Sequence, residues 1–503
     1  MNESYWISST EWKKYEALED DIKTDYLIIG GGIAGLTCFY LLTKHGLEVT
    51  LINADRVGYG CTGRSTGKIT SQHGLVYNNI ESKFGLERAR QYYDINQKAL
   101  ELVENIIEQY HIDCGFSRVP ACMYTQDEGY AKKIEKEYET YRKLELDCSL
   151  VKELSLPIDI INALVLNKQA QFHPKKYTDA LAGQCVRQKG IIYEETRVTD
   201  FKPGKPSVVK TGKGPVITAE HVVITTQFPC YDGMGFYFAK LKPVRTYAVM
   251  APMDKDFPKA HFINAESPTR SLRYVEEEKS LLIVGESHKV GHNTEDHYAA
   301  LKKFGKELYG LHNYQYQWSA QDYVPPHQIP FVGWLNKDFH NIYVATGFHK
   351  WGNSNGTAAG IVISNMIING NSPYEALYDH STLTDVVSAS FATVNADVVV
   401  QLIGGKLKKG DKEIPDESGV GRVVNMNGKR CGYYRDDDGN VYILDTTCTH
   451  VGCELKWNDL EKSWDCPCHG SRFDYKGNVL NGPAETPLKR CIDEKNKINP
   501  QIR

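Results

Sequence analysis

The chain has 503 residues, 41% of them hydrophobic and 24% charged, with a formal net charge of -4 at pH 7. This is ordinary globular usage in about three domains' worth of chain, and it provides no broad basic surface, so neither nucleic acid nor an anionic membrane is expected as a partner. Residues 1–21 are polar and acidic without an apolar signal core, and the longest apolar run, Tyr26 to Leu42, is broken by four glycines and falls short of the roughly 18 residues that suggest a membrane span; a cytoplasmic protein is expected.

Asp25 to Ile29 reads as a buried strand, which Gly30-Gly31-Gly32-Ile33-Ala34-Gly35 turns directly into the apolar helix Leu36 to Leu42. A Gly-x-Gly-x-x-Gly run alone is common. Between a strand and a helix it permits a tight turn and lets a pyrophosphate approach the helix N-terminus, so Gly30, Gly32, Ala34 and Gly35 are candidate dinucleotide-binding positions. A second strand is predicted from Glu48 to Ile52, and at its end, where an acidic residue usually holds the adenosine ribose, stands Asn53. An amide can still hydrogen-bond a hydroxyl, and Asp55 lies close by in sequence. Gly58 to Thr70 is rich in glycine and hydroxyls; by itself it reads equally as a polar surface loop.

From Ile80 to Leu146 the pattern turns helical and charged, with Leu100, Val103, Ile106 and Ile107 on one face, and predicts a helical insertion. A helix from Tyr177 to Lys189 leads into Gly190 to Val198, and Val222 to Thr226 is a short buried strand. Between Phe236 and Tyr323 apolar segments at 244–250, 272–275 and 281–284 predict an antiparallel sheet. His288, His292 and His297 fall in a turn before a helix, a reading preferred to an iron site with two histidines and a carboxylate. Ile342 to Ala345 is a strand, and Thr346-Gly347-Phe348-His349-Lys350-Trp351-Gly352-Asn353-Ser354-Asn355-Gly356 runs from it into a small-residue helix, Thr357 to Ile368. Beyond Pro373 the periodicity weakens through Ser381 to Ser390, a short helix is predicted around 391–402, and short strands resume at about Lys412.

The carboxyl-terminal stretch carries Cys448-Thr-His450 and, after fifteen residues, Cys466-Pro-Cys-His469. A [2Fe-2S] cluster with two imidazoles on one iron takes one Cys and one His from each of two loops, and Cys448, His450, Cys466 and His469 supply them. A tetrahedral zinc site is the alternative for a Cys2His2 set, though it leaves Cys453 and Cys468 without a role. Thirteen cysteines, five of them in the last seventy residues, argue against a disulfide scaffold, and the scattered ones read as buried small apolar residues.

The segments at Gly30–Gly35, Gly58–Thr70 and Thr346–Gly356 resemble FAD-dependent oxidoreductases of the D-amino-acid oxidase-like, or glycine oxidase-like, family. Cys448 to Phe473, with Gly482-Pro483-Ala484, resembles a Rieske [2Fe-2S] domain. Together they imply an α/β Rossmann-like FAD-binding domain with an antiparallel-sheet substrate domain over residues 1–380, a partly helical linker over 381–411, and a small all-β Rieske domain over 412–503. The resemblance places Arg64, Ser65 and Lys68 near the flavin, the backbone of Val198 near the adenine, and Gly347, Phe348, Trp351 and Gly352 facing the flavin ring. It also implies a disulfide between Cys453 and Cys468. Ser471 matches a serine that hydrogen-bonds the cluster in high-potential members, while Phe473 replaces a tyrosine that does so, which implies a potential below the top of the Rieske range.

A flavin accepts two electrons and one [2Fe-2S] cluster passes one at a time. The implied activity is oxidation of a small organic substrate, an amine or amino acid, at FAD, with electrons leaving through the cluster to an acceptor that includes a protein partner among its possibilities. Reversed electron flow, or a non-catalytic electron carrier or redox sensor, are the alternatives. No residue is singled out as the catalytic base; His73, His173 and Lys68 are candidates.

Overall fold

The computed structural model describes residues 3–379, 401, 415 and 417–491, apart from 12, 233, 234, 293, 294, 337 and 427. The linker predicted at 381–411 therefore lies, except for Gln401, outside the described residues. The chain forms two compact units. The first comprises Met1–Gly235, Arg245–Ser287 and Asp296–Asp385, and the second Phe236–Val244, His288–Glu295 and Val386–Arg503.

In the first unit, strands Ile191–Tyr193, Val49–Ile52, Ile22–Ile29, Val216–Ile224 and Ile342–Thr346 lie side by side in that order, all parallel, with Phe331–Trp334 antiparallel at the edge. Val49–Ile52 is buried at every position, as a parallel strand covered on both faces must be, which explains its unbroken apolar sequence. The register pairs Ile29 with both Ile52 and Ile224, and Ile224 with Val344. The carboxyl ends of four strands therefore coincide, and ligands of open α/β sheets bind at that edge. Helix Ile33–Lys44 packs on helix Gly352–Asn369 at a glycine crossing. A Cβ on Gly360 would lie 2.7 Å from the Thr37 Cβ, and one on Gly356 would lie 3.1 Å from Ile33 Cγ2. Small residues in the second helix are thus a packing requirement.

A second, nine-stranded sheet runs in the order Tyr316–Val324, Lys242–Pro252, Ser280–Lys289, Arg270–Val275, His261–Asn264, Ser117–Thr125, Asn162–Gln171, Lys68–Ile69, with Cys148–Val151 also paired to Asn162–Gln171. It is mostly antiparallel, but His261–Asn264 pairs in parallel with Ser117–Thr125. This corrects the reading of 80–146 as purely helical. Helices Tyr77–Phe84, Leu86–Tyr110 and Glu128–Lys143 are present, but strand Ser117–Thr125 runs between them. Its last five residues are all buried, so it lacks the alternation that marks a half-exposed strand. A short helix, Tyr5–Ser8, also forms at the amino end, which the sequence reading took as merely polar. Tyr5, Trp6 and Ile7 are buried, and Trp6 Nε1 donates to Ser65 O at 2.7 Å.

The second unit contains a three-stranded antiparallel sheet, Gly421–Met426, Lys429–Arg435 and Val441–Asp445, and a four-stranded one, Lys456–Asn458, Ser463–Asp465, Arg472–Asp474 and Val479–Asn481. Trp464 anchors it: a Cβ on Gly432 would meet the indole at 2.5 Å, so only glycine admits that ring. Arg472 and Asp465 form a buried pair at 2.8 Å, and Arg472 also donates to Ser463 Oγ and Asn481 Oδ1.

Candidate flavin and cluster sites

The glycine turn is built by close approaches that only glycine allows. Gly30 has φ +117, and a Cβ there would lie 2.7 Å from Thr225 O; a Cβ on Gly35 would run into Gly30 O. Gly32 is different. A Cβ there would meet only Thr62 Oγ1, at 3.4 Å, so the protein itself does not demand glycine at this position. The side left open adjoins the N-terminus of helix Ile33–Lys44, whose N-cap, Gly32, has no side chain to cap it, and an opening of this kind fits a pyrophosphate. Ala34, in the first turn, is buried near Gly356.

Asn53 shapes this turn. Its Oδ1 accepts from Gly31 N at 2.9 Å and its Nδ2 donates to Arg56 O at 3.0 Å, which leaves one N–H and one lone pair of the amide for a ligand. Thr196 N donates to Asn53 O at 2.8 Å and Asn53 N to Tyr193 O at 2.9 Å, so the segment leading to Val198, the first residue of strand Val198–Lys202, runs along the same edge. Sequence reasoning missed Glu194. Its buried carboxylate accepts from Val57 N at 2.7 Å and Tyr15 N at 3.1 Å, tying two chain segments to the sheet edge.

The loop from 58 to 70 is held from several sides. Gly58 N donates to Gly31 O at 2.9 Å and Ile33 N to Thr62 Oγ1 at 3.1 Å. Arg64 lies over the Tyr59 ring and donates to its carbonyl, while Arg64 O accepts from Trp318 Nε1 at 2.9 Å. Asn353, in the first turn of helix Gly352–Asn369, donates to Lys68 O at 2.9 Å and Ser65 Oγ at 3.3 Å. That helix follows a tight turn in which Gly347, His349 and Lys350 have positive φ, and its N-cap, Trp351, gives no side-chain cap. Asp322 holds the turn, accepting from Lys350 N and from Tyr323 N at 2.8 Å; burial pushes its carboxyl up to about 6. Phe348 O accepts from Asn355 Nδ2 at 3.2 Å. The glycine turn, the 58–70 loop and the 347–352 turn are thus hydrogen-bonded into one assembly.

Of the three candidate bases, two are fixed as neutral hydrogen-bonding elements. His73 Nδ1 bonds Tyr92 Oη at 2.6 Å and its Nε2 bonds Thr70 O and Ser354 Oγ; burial brings its pKa down to about 3. His173 caps its helix through Nδ1, bonds Ser9 Oγ through Nε2, and is likewise brought by burial to about 3. Lys68 is buried and donates from Nζ to Ser271 Oγ at 2.6 Å; burial first, then the Arg273 guanidinium, bring it down to about 7. Buried His261, whose pKa is held well below its usual value by burial and by Lys68 and Arg273, has no hydrogen-bond partner at either ring nitrogen among the described residues.

In the second unit, two loops present the Cys and His residues, each closed by bonds between its ends. Cys448 N donates to Cys453 O at 2.8 Å and Gly452 N to Cys448 O at 2.9 Å; Cys466 N donates to Ser471 O at 2.8 Å and Gly470 N to Cys466 O at 3.1 Å. Gly452 and Gly470 take positive φ to make these turns. A Cys453–Cys468 disulfide joins the loops. The Cys448 and Cys466 thiols bond each other, which lowers the pKa of the first and raises that of the second. The His450 and His469 rings stand 5.1 Å apart, and buried His469 Nδ1 has no hydrogen-bond partner among the described residues. Two thiols that pair with each other and two imidazoles that stand together, one with a buried unpartnered nitrogen, are a donor set that fits a cluster. Cys466 also lies near the disulfide sulfurs, but those are already bonded to each other. Ser471 Oγ accepts from Ala484 N at 3.0 Å, and Phe473 is buried with Cys448 and Cys466.

A second disulfide, Cys431–Cys491, corrects the reading of Cys431 as a lone apolar residue. Cys38, Cys114, Cys122 and Cys185 are free and buried, whereas Cys61, Cys148 and Cys230 are half-buried.

Residues 25–366 match the FAD dependent oxidoreductase family, and residues 409–491 match the Rieske [2Fe-2S] domain. The chain belongs to the FAD-dependent oxidoreductases and carries a Rieske domain. It is an enzyme with FAD and a [2Fe-2S] cluster as cofactors. It is 40% identical over 97% of both chains to the Rieske 2Fe-2S iron-sulfur protein YhfW of Bacillus subtilis. It is also 27% identical, over 44% of this chain and 53% of the other, to gamma-glutamylputrescine oxidoreductase of Escherichia coli. L-proline dehydrogenase of P. horikoshii shares the fold at a TM-score of 0.61 and 20% identity, over 72% of this chain and 98% of that one. Among the described residues no helix is long and apolar enough to cross a membrane.

Proposed function

We propose that this enzyme oxidises a small amine or amino acid and delivers the electrons one at a time to an acceptor through its cluster. The reading rests above all on one observation: a single chain carries a glycine turn left open at Gly32 and two Cys/His loops whose thiols pair with each other and whose imidazoles stand 5.1 Å apart. FAD supplies two-electron acceptance and the [2Fe-2S] cluster one-electron transfer. The amine substrate in the name of the E. coli relative supports the substrate class.

In this reading residues 1–380 are the oxidising part, 381–411 the connection and 412–503 the relay. Gly30 and Gly35 fix the turn, Gly32 admits the pyrophosphate, and Ala34 keeps the helix close. Asn53 and the Val198 backbone border the adenosine half. Arg64, Ser65 and Lys68, with Gly347, Phe348, Trp351 and Gly352, border the flavin, where the uncapped helix end favours negative charge. Lys68 is the one candidate base that changes protonation near neutrality, where proton transfer is most useful. Cys448, His450, Cys466 and His469 hold the iron.

The test is an anaerobic screen of amines and amino acids for bleaching of the flavin absorbance. One compound that bleaches it in a single rapid phase supports the reading; a panel with no response, while dithionite bleaches normally, counts against it.

A further inference from the structure

The imidazole side of the cluster site is not bare in this fold. The second compact unit includes two segments remote in sequence from the Cys/His loops, Phe236–Val244 and His288–Glu295. The first contains the short helix Tyr237–Lys240. Phe238, half-buried on that helix, meets both imidazoles edge-on, with ring centroids 5.4 Å from His469 and 6.1 Å from His450, inside the roughly 4.5–7 Å range of favourable aromatic pairs. The second segment contacts the Cys466–His469 loop independently. Gly291 takes φ +73, and a Cβ on it would lie 2.7 Å from Pro467 Cα, so the backbones touch there and only glycine allows it. Lys289 adds a positive charge near His469, and His292 Nε2 lies 3.4 Å from Gln401 Nε2.

We propose that these two segments form a built-in cap on the imidazole edge, with Phe238 as the positioning residue over both rings. Cys448, Cys466 and the disulfide are buried in the domain's own core, so the imidazoles are the outward side of the cluster. An electron carrier must come close to that side, because tunnelling falls steeply with distance. The cap reserves it for this chain and closes it to a diffusing protein acceptor. The cap acts the same way whichever direction electrons flow.

Acylation of histidines by diethyl pyrocarbonate in the holoprotein, followed by peptide mass analysis, tests the cap, since the reagent needs an accessible ring nitrogen. Exposed His312 serves as the internal standard. In the natural protein His469 is expected to react several-fold more slowly than His312. Phe238→Ala should speed His469 several-fold at unchanged iron content and leave His312 alone, and Phe238→Tyr should restore the slow rate. Gly291→Ala, which leaves Phe238 in place but pushes its segment off Pro467, should speed it as well. Reduction of the cluster by a small redox protein should accelerate in the same variants. Equal rates for His469 and His312 in the natural protein would overturn the proposal without recourse to any variant. So would unchanged His469 rates in both iron-loaded variants.

Discussion

Gly32 separates two reasons for a glycine that look identical in sequence. At Gly30 and Gly35 the protein's own backbone leaves no room for a side chain, whereas at Gly32 it does, so a substitution there should act on the cofactor and spare the fold. Gly32→Val is expected to purify with natural stability as the apoprotein and to bind FAD at least about tenfold more weakly, on the order of 1.4 kcal/mol. Titration of FAD into apoprotein checks this, and natural affinity would contradict it. His73 makes a different residue-level prediction. Burial lowers its pKa from 6.5 unfolded to about 3 folded, so between those values the unfolded chain holds more protons and stability falls as pH falls. His73→Asn should make the urea midpoint of the first unit less steep in pH across 3 to 6.5, and an unchanged slope would show that this imidazole is not neutral when folded.

Among elements, the two cluster loops depend on strands that carry a buried ion pair. Arg472 Nε bonds Asp465 Oδ1 at 2.8 Å with both side chains almost wholly buried. The partnership also satisfies Ser463 and Asn481, so replacing only the cation leaves a carboxylate in the core. Arg472→Met should cost about 3–5 kcal/mol, read as loss of cluster absorbance at lower denaturant; a cost below about 1 kcal/mol would mean that water reaches Asp465. The glycine crossing between helices Ile33–Lys44 and Gly352–Asn369 is of the same kind. It brings the 347–352 turn to the glycine turn, and the small residues in the second helix record that contact.

Over the whole molecule, sequence legibility followed locality. The glycine turn, the strand before it and the Cys/His loops are encoded within short stretches whose spacing is itself the geometry, and they could be read directly. Strand Ser117–Thr125 escaped because five consecutive buried residues show no period of two. The Cys431–Cys491 disulfide escaped because its partners are 60 residues apart with no spacing rule to join them. Helix Tyr5–Ser8 and Glu194 gain their roles only from the tertiary contacts to Ser65, Val57 and Tyr15. Asn53 was placed correctly at a strand end, but its engagement with Gly31 N could not be read from a sequence position alone.

The central claim is that substrate oxidation and electron delivery are separate tasks of the two parts of the chain. His450→Ala removes one proposed iron ligand and leaves every residue of the glycine turn and the 347–352 turn intact. With the compound that bleaches the natural flavin, stopped-flow mixing without oxygen should show the variant's flavin bleaching at the natural rate. Steady reduction of a small one-electron acceptor should fall at least about tenfold, a loss of about 1.4 kcal/mol or more in transition-state terms. Unchanged turnover in a variant shown by iron analysis to lack the cluster would contradict the account.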